Sequence, residues 1–224
     1  MTHTLNRTGL SPERPGQEIV ILIMAHHKIK ADKGPQMVRA AETVLKYGPD
    51  NFIGLPLGLT PEQLIPLAAH TGIVTAVFRD LDTAAALVAE LKAQENGVSV
   101  VLSGLFDDVR DVCRRVGLTE HTTHVTAGVF GRTELLPEGL TLDITTQCGH
   151  ALVSRHYVAD LVKKIRKGKL TPREGAELLA KPCVCGVVNK TRTAEILDRL
   201  ARKGAEPPLD PTPAFRDATR KGDA

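Results

Sequence analysis

The sequence predicts an α/β protein: a doubly wound, mostly parallel sheet of about five strands, followed by a small C-terminal helical region that binds metal through Cys and His. Three observations predict it. Short β-rich apolar runs alternate with stretches of helical spacing from residue 17 to residue 145. The first run, Glu18–Ala25 (EIVILIMA), is apolar almost throughout, as a strand buried on both faces of a parallel sheet would be. After Thr146 the strand pattern stops, and three of the four cysteines fall with one histidine in two short loops. The expected organisation is an α/β domain over 17–145, a helical metal- or cluster-binding region over 146–204, and a disordered tail over 205–224.

Glu18–Ala25 opens the sheet after a lead containing Pro and Gly. Residues 34–47 place Met37, Val38, Ala41, Val44 and Leu45 at helical spacing, and Gly48-Pro49 ends that helix. Asn51–Leu57 reads as a short second strand. Thr60-Pro61-Glu62-Gln63 supplies a cap, a proline at the first helical position and a capping-box Gln, so a helix should run to His70. Ile73–Phe78 is the third strand. The Ala- and Leu-rich stretch 82–94 is a helix, Val98–Leu102 a fourth strand, and 107–116 another helix. His124–Phe130 is the expected fifth strand. Beyond it, Ala151–Lys167 has amphipathic spacing, Thr171-Pro172-Arg173-Glu174 is a second capping box for a helix to Ala180, and Asn189 should cap a last helix through Arg202. Four prolines and little apolar content mark the tail from Glu206.

The chain of 224 residues is 42% hydrophobic and 25% charged, the composition of a soluble globular protein. No apolar run reaches the roughly 20 residues that span a bilayer, and the polar N-terminal stretch has no signal-like apolar core. A cytoplasmic location is therefore expected, where clustered thiols serve as metal ligands or redox groups rather than disulfides. Aromatic residues make up only 3% of the chain, so few platforms exist for stacking bases, and nucleic-acid binding is disfavoured despite the basic run Lys163, Lys164, Arg166, Lys167 and Lys169. The net charge of +3 is unevenly placed: residues 1–150 carry 13 Lys/Arg against 17 Asp/Glu, and residues 151–224 carry 16 against 9. A basic C-terminal part would offset a thiolate-bound cluster, meet an acidic redox partner protein, or simply form solvated helix faces.

Chemistry concentrates in Cys148-Gly149-His150 and Cys183-Val184-Cys185-Gly186. These four soft or borderline donors, Cys148, His150, Cys183 and Cys185, make a candidate metal set. Gly149 and Gly186 allow close backbone approach and leave amides to donate to sulfur, while Pro182 stiffens the entry to the second loop. Structural zinc usually grips through Cys-x2-Cys knuckles, which this chain lacks, so the expectation is a [4Fe–4S] iron–sulfur cluster, with a Cys3His zinc as the alternative. An iron left open where His150 does not bind would give Lewis-acid or redox chemistry. Such a centre would suit an oxidoreductase, a lyase or a sulfur-transfer enzyme, and its look suggests anaerobic metabolism. A structural zinc would instead suit a small-molecule-binding or interaction module. Cys113, on a predicted helix, reads as a small buried hydrophobe.

The loop after the first strand, Ala25 to Gly34, carries His26, His27, Lys28, Lys30 and Lys33. At the carboxyl end of a parallel strand these would bind a small anionic ligand or substrate, with His26, His27, Lys28 and Lys33 as contacts and His26 or His27 moving a proton. No dinucleotide or P-loop glycine signature accompanies them. His121 and His124 form a weak His-x2-His pair, and His156 belongs on a helix face.

Overall fold

A computed structural model describes residues 7–29 and 31–202. Lys30 and the tail expected to be disordered lie outside those residues. Among the described residues the sheet has four strands, β1 (Ile19–Met24), β2 (Asn51–Phe52), β3 (Ile73–Phe78) and β4 (Ser99–Ser103), in the order β2-β3-β1-β4. Every neighbouring pair is antiparallel: Ile19 faces Phe78, Val20 faces Ser103, and Asn51 faces Val77. The helices between them are α1 (Gly34–Lys46), α2 (Pro61–Thr71) and α3 (Leu81–Ala93), with α4 (Phe106–Arg115) following β4.

The expected doubly wound, mostly parallel five-strand sheet is thus corrected to a four-strand antiparallel one. The alternation of strands and helices is real, but the crossovers are split: β3 lies between β1 and β2, and β1 lies between β3 and β4. Two interlocked β-α-β units leave no parallel neighbours. β1 reads as an unbroken apolar run because both its faces are buried, Ile19, Ile21 and Ile23 on one and Val20 and Leu22 on the other. Burial on both faces is common to central strands of either kind of sheet, so that run carried no information about direction.

The expected fifth strand, His124–Phe130, pairs with no strand. Thr126 exchanges hydrogen bonds with Gly128, whose φ is +120°, and Val125 and Phe130 are exposed. β2 stops at Phe52 because Gly54 turns left-handed at φ +82° and Leu55–Leu57 winds into a single 3-10 turn. Both anticipated capping boxes form. The Thr60 amide donates to Gln63 Oε1 at 2.9 Å, and the Thr171 amide to Glu174 Oε2 at 2.7 Å.

The chain divides into two compact units. The sheet unit comprises residues 10–122 and 183–190. Its core lies between one sheet face, with Ile21, Ile23, Val74, Ala76 and Phe78, and the apolar sides of α1, α2 and α3, where Met37, Ala40, Ala41, Leu64, Ala68 and Leu87 are buried. A second cluster joins Ile19 to Ala84, Ala85, Val88 and Val112, so that α3 packs against α4. Gly34 allows α1 to approach α2 closely, its missing Cβ falling 3.4 Å from that of Ala69.

The helical unit comprises, among the described residues, 7–9, 123–182 and 191–202. Its helices are α5 (Gly139–Thr145), α6 (Arg155–Arg166), α7 (Pro172–Ala180) and α8 (Lys190–Ala201), the last beginning one residue before the unit's final segment. α6 starts four residues later than expected: Ala151 adopts φ +55°, and Ser154 becomes the cap by accepting from the His156 amide. Gly175 lets α7 sit against α6 and α8, where a Cβ would be 2.9 Å from Leu197 and 3.2 Å from Ile165.

An N-terminal strap is tied to this unit by polar groups. Thr8 Oγ1 donates to Asp143 at 2.7 Å, the Thr8 amide to Thr146 Oγ1 at 3.1 Å, and Arg7 to the Gln147 carbonyl at 2.7 Å. Arg192 donates to the Thr8 carbonyl. Burial, partly opposed by the Thr8 bond and by Arg192 and Arg199, holds the Asp143 carboxyl above its usual range. Folding therefore favours the protonated acid. Its contribution is complete below the unfolded pKa and is lost as pH rises through the folded one. Asp143→Asn keeps an acceptor for Thr8 and removes the titration. Urea midpoints taken across the acid-to-neutral range should show a flatter pH slope in the variant and a higher midpoint at neutral pH.

Candidate functional site

The segment Cys183–Lys190 leaves the helical part of the chain and belongs to the sheet unit. That corrects the expected helical Cys/His metal-binding region: the Cys-x-Cys loop lies along the sheet, beside β2. A turn closes it, the Gly186 amide donating to the Cys183 carbonyl at 2.9 Å. The neighbouring carbonyls are each taken by a group of the sheet. Gly54 donates its amide to Val184 O at 3.1 Å, Thr75 its hydroxyl to Cys185 O, and Asn51 its side-chain amide to Val188 O at 3.0 Å. Asn189 then donates to the Gln17 carbonyl at 3.2 Å.

Gly186 is the tightest point of this docking. Its φ is +62°, and a Cβ there would stand 2.0 Å from the carbonyl carbon and oxygen of Phe52. The backbone can therefore press onto β2 only without a side chain. Cys183, Val187 and Val188 are fully buried, Cys185 is half-buried, and Val184 projects at the tip. Asn51, Gly54 and Thr75 position the loop, and none of them stood out in the sequence as functional. A faint signal existed in Thr75, the one polar residue within the apolar run of β3, and in Asn51 at the start of a strand.

Cys148 and His150 lie in the helical unit, in the turn after α5, where the Ala151 amide donates to the Cys148 carbonyl at 3.0 Å. Cys148 is buried and His150 exposed. The four candidate donors are thus divided two and two between the units. Among the described residues, no three His, Cys, Asp or Glu side chains form a group that could hold a metal ion. All four cysteines are thiols. Burial, and secondarily Glu120, pushes the Cys113 thiol above its usual range, as befits a packing residue.

The loop after β1 is solvent-facing. His26, His27 and Lys28 are exposed, the two imidazole centroids lie 4.2 Å apart with planes tilted by 38°, and the Lys28 amide donates to His26 Nδ1 at 3.3 Å. Lys33 turns away from them, its Nζ donating to the Asn96 carbonyl at 3.4 Å beside Gly97. In an antiparallel sheet the end of β1 adjoins the starts of β3 and β4, so the crevice that parallel strands would open at their carboxyl ends does not form. His121 and His124 are both exposed, and His121 Nδ1 is 2.9 Å from the Thr122 hydroxyl.

Among the described residues no helix is long and apolar enough to cross a membrane. Comparison of the chain with protein-family models, with curated proteins and with solved structures finds no significant match.

Proposed function

We propose that the chain is a thiolate metalloprotein that binds a [4Fe–4S] cluster through the Cys183-Val184-Cys185 turn. The observation that carries this reading is the anchoring of the turn: its carbonyls are taken by Gly54, Thr75 and Gly186, with two thiols only two residues apart. A donor loop already fixed by its backbone loses little further conformational freedom when its sulfurs bind a metal. In the same unit, the exposed pair His26 and His27 with Lys28 is the proposed seat for a small anion. The excess of Lys and Arg after residue 150 fits an acidic redox partner.

The experiment is anaerobic purification with iron, sulfide and zinc measured on the same sample, together with an absorption spectrum. The expected result is near-equal iron and sulfide with broad absorbance at about 400 nm that bleaches on reduction. Cys183→Ser and Cys185→Ser should each strip most of the metal. Cys113→Ser, and His26→Ala combined with His27→Ala, should leave it in place. One zinc per chain in a colourless protein would replace the cluster by a structural zinc site, and equal metal in all these variants would overturn the ligand assignment.

A further inference from the structure

We infer that the outer edge of β4 is a self-association surface, and that its occupant is β4 of a second copy of this chain. The two edges of the sheet are treated differently. Beside β2, the Cys183–Lys190 segment lies along the sheet and takes the Gly54 amide. β4 forms the other edge, and among the described residues no strand lies beyond it. Its residues Ser99, Val100 and Val101 are exposed, the two valines at 39% and 36%. The strand carries none of the devices that keep an edge solitary: no charge, no proline and no glycine interrupts Ser-Val-Val-Leu-Ser.

The strand is also complementary to itself. Antiparallel pairing about a two-fold axis through Val101 sets Val100 against Leu102 of the second copy and Val101 against Val101. That axis stands normal to the sheet and keeps both helical layers on one side. In each copy α1 packs against α2 and α3, and α3 against α4, so α4 is the outermost helix on the β4 side. The pairing brings the two α4 helices together antiparallel.

Their charges match in that arrangement. α4 begins with Asp107 and Asp108 and ends with Arg114 and Arg115. Asp108 is buried and accepts from the Gly16 amide at 2.9 Å, whereas the side chains of Asp107 and Arg114 are 94% and 75% exposed. Asp107 of each copy meets the Arg114 end of the other. Phe106 and Leu118, exposed near opposite ends of the same helix, are brought together in the same way. The contact closes after two copies, because the pairing is isologous and each copy contributes β4 to it.

The test is the mass of the whole chain as purified, by sedimentation velocity or light scattering. The expected result is a dimer. Val101→Lys places two ammonium groups on the axis and should give a monomer with an unchanged circular dichroism spectrum. Asp107→Arg and Arg114→Asp should each weaken the dimer about tenfold, and the double exchange should restore it, a readout that survives even where Val101→Lys folds poorly. A monomeric wild type, an open series of larger species, or a dimer indifferent to all these substitutions would overturn the inference. Metal content does not enter the test, so its outcome is separate from that of the ligand assignment.

Discussion

Gly186→Ala is expected to loosen the Cys183–Gly186 turn on the sheet and, on the proposed cluster reading, to lower the metal content with it. Two independent costs coincide at this position. A left-handed backbone costs an L-residue about 1–2 kcal/mol. The added methyl would also stand 2.0 Å from the carbonyl group of Phe52, a contact the backbone on either side must move to relieve. Overpacking of this kind costs about 1–3 kcal/mol. The combined penalty, roughly 2–5 kcal/mol, falls on a loop held by a handful of hydrogen bonds. Each of these contributes about 1 kcal/mol, so the penalty is comparable with the bonding at the tip, and the Val184 end should loosen while Val187 and Val188 stay buried. Limited proteolysis should then cut near the Val184 tip while the sheet stays folded. Wild-type protease resistance would refute the docking.

Phe52→Ala is expected to act on the sheet itself. The ring is 1% exposed and belongs to the main core cluster with Met37, Leu64 and Leu87. Removing a buried phenyl group costs about 3–5 kcal/mol. β2 is only two residues long, and Phe52 is its one side chain in that core. The urea midpoint of the whole sheet unit should fall, with fluorescence-silent probes such as far-UV circular dichroism following the transition. A midpoint within error of wild type would show that the edge strand contributes little to the core. The pair of variants separates two effects: Gly186→Ala should spare that midpoint, and Phe52→Ala should not.

Local features of the fold were legible because they rest on local physics. The capping boxes at Thr60 and Thr171 depend on four consecutive residues, and the runs of β1 and β3 on residues adjacent in sequence. Strand direction was not legible, since a central strand buried on both faces looks the same in a parallel and an antiparallel sheet. The segment at His124–Phe130 has strand composition, but Gly128 and Gly131, both at positive φ, bend it away from a ladder. The same limit applied to the candidate site. Thiols and glycines mark Cys183–Gly186 by residue type alone, whereas the seat of that loop depends on Asn51, Gly54, Thr75 and the bare backbone of Gly186, more than a hundred positions apart. The division of Cys148 and His150 from Cys183 and Cys185 between two units had no sequence signal at all.

The return of Cys183–Lys190 to the sheet bears on the order in which the protein is made. A ribosome releases β1 through α4 long before it releases the residues that cover the β2 side, since Asn51 waits for Val188 and Gln17 for Asn189. Vectorial synthesis cannot finish the first unit before the second has been threaded through, and closing so long a loop is slow compared with helix or hairpin formation. During that interval both borders of the nascent sheet stand open. A chain cut off between residues 115 and 183 would be held in that half-built state, exposed to chaperones and proteases however intact its four strands.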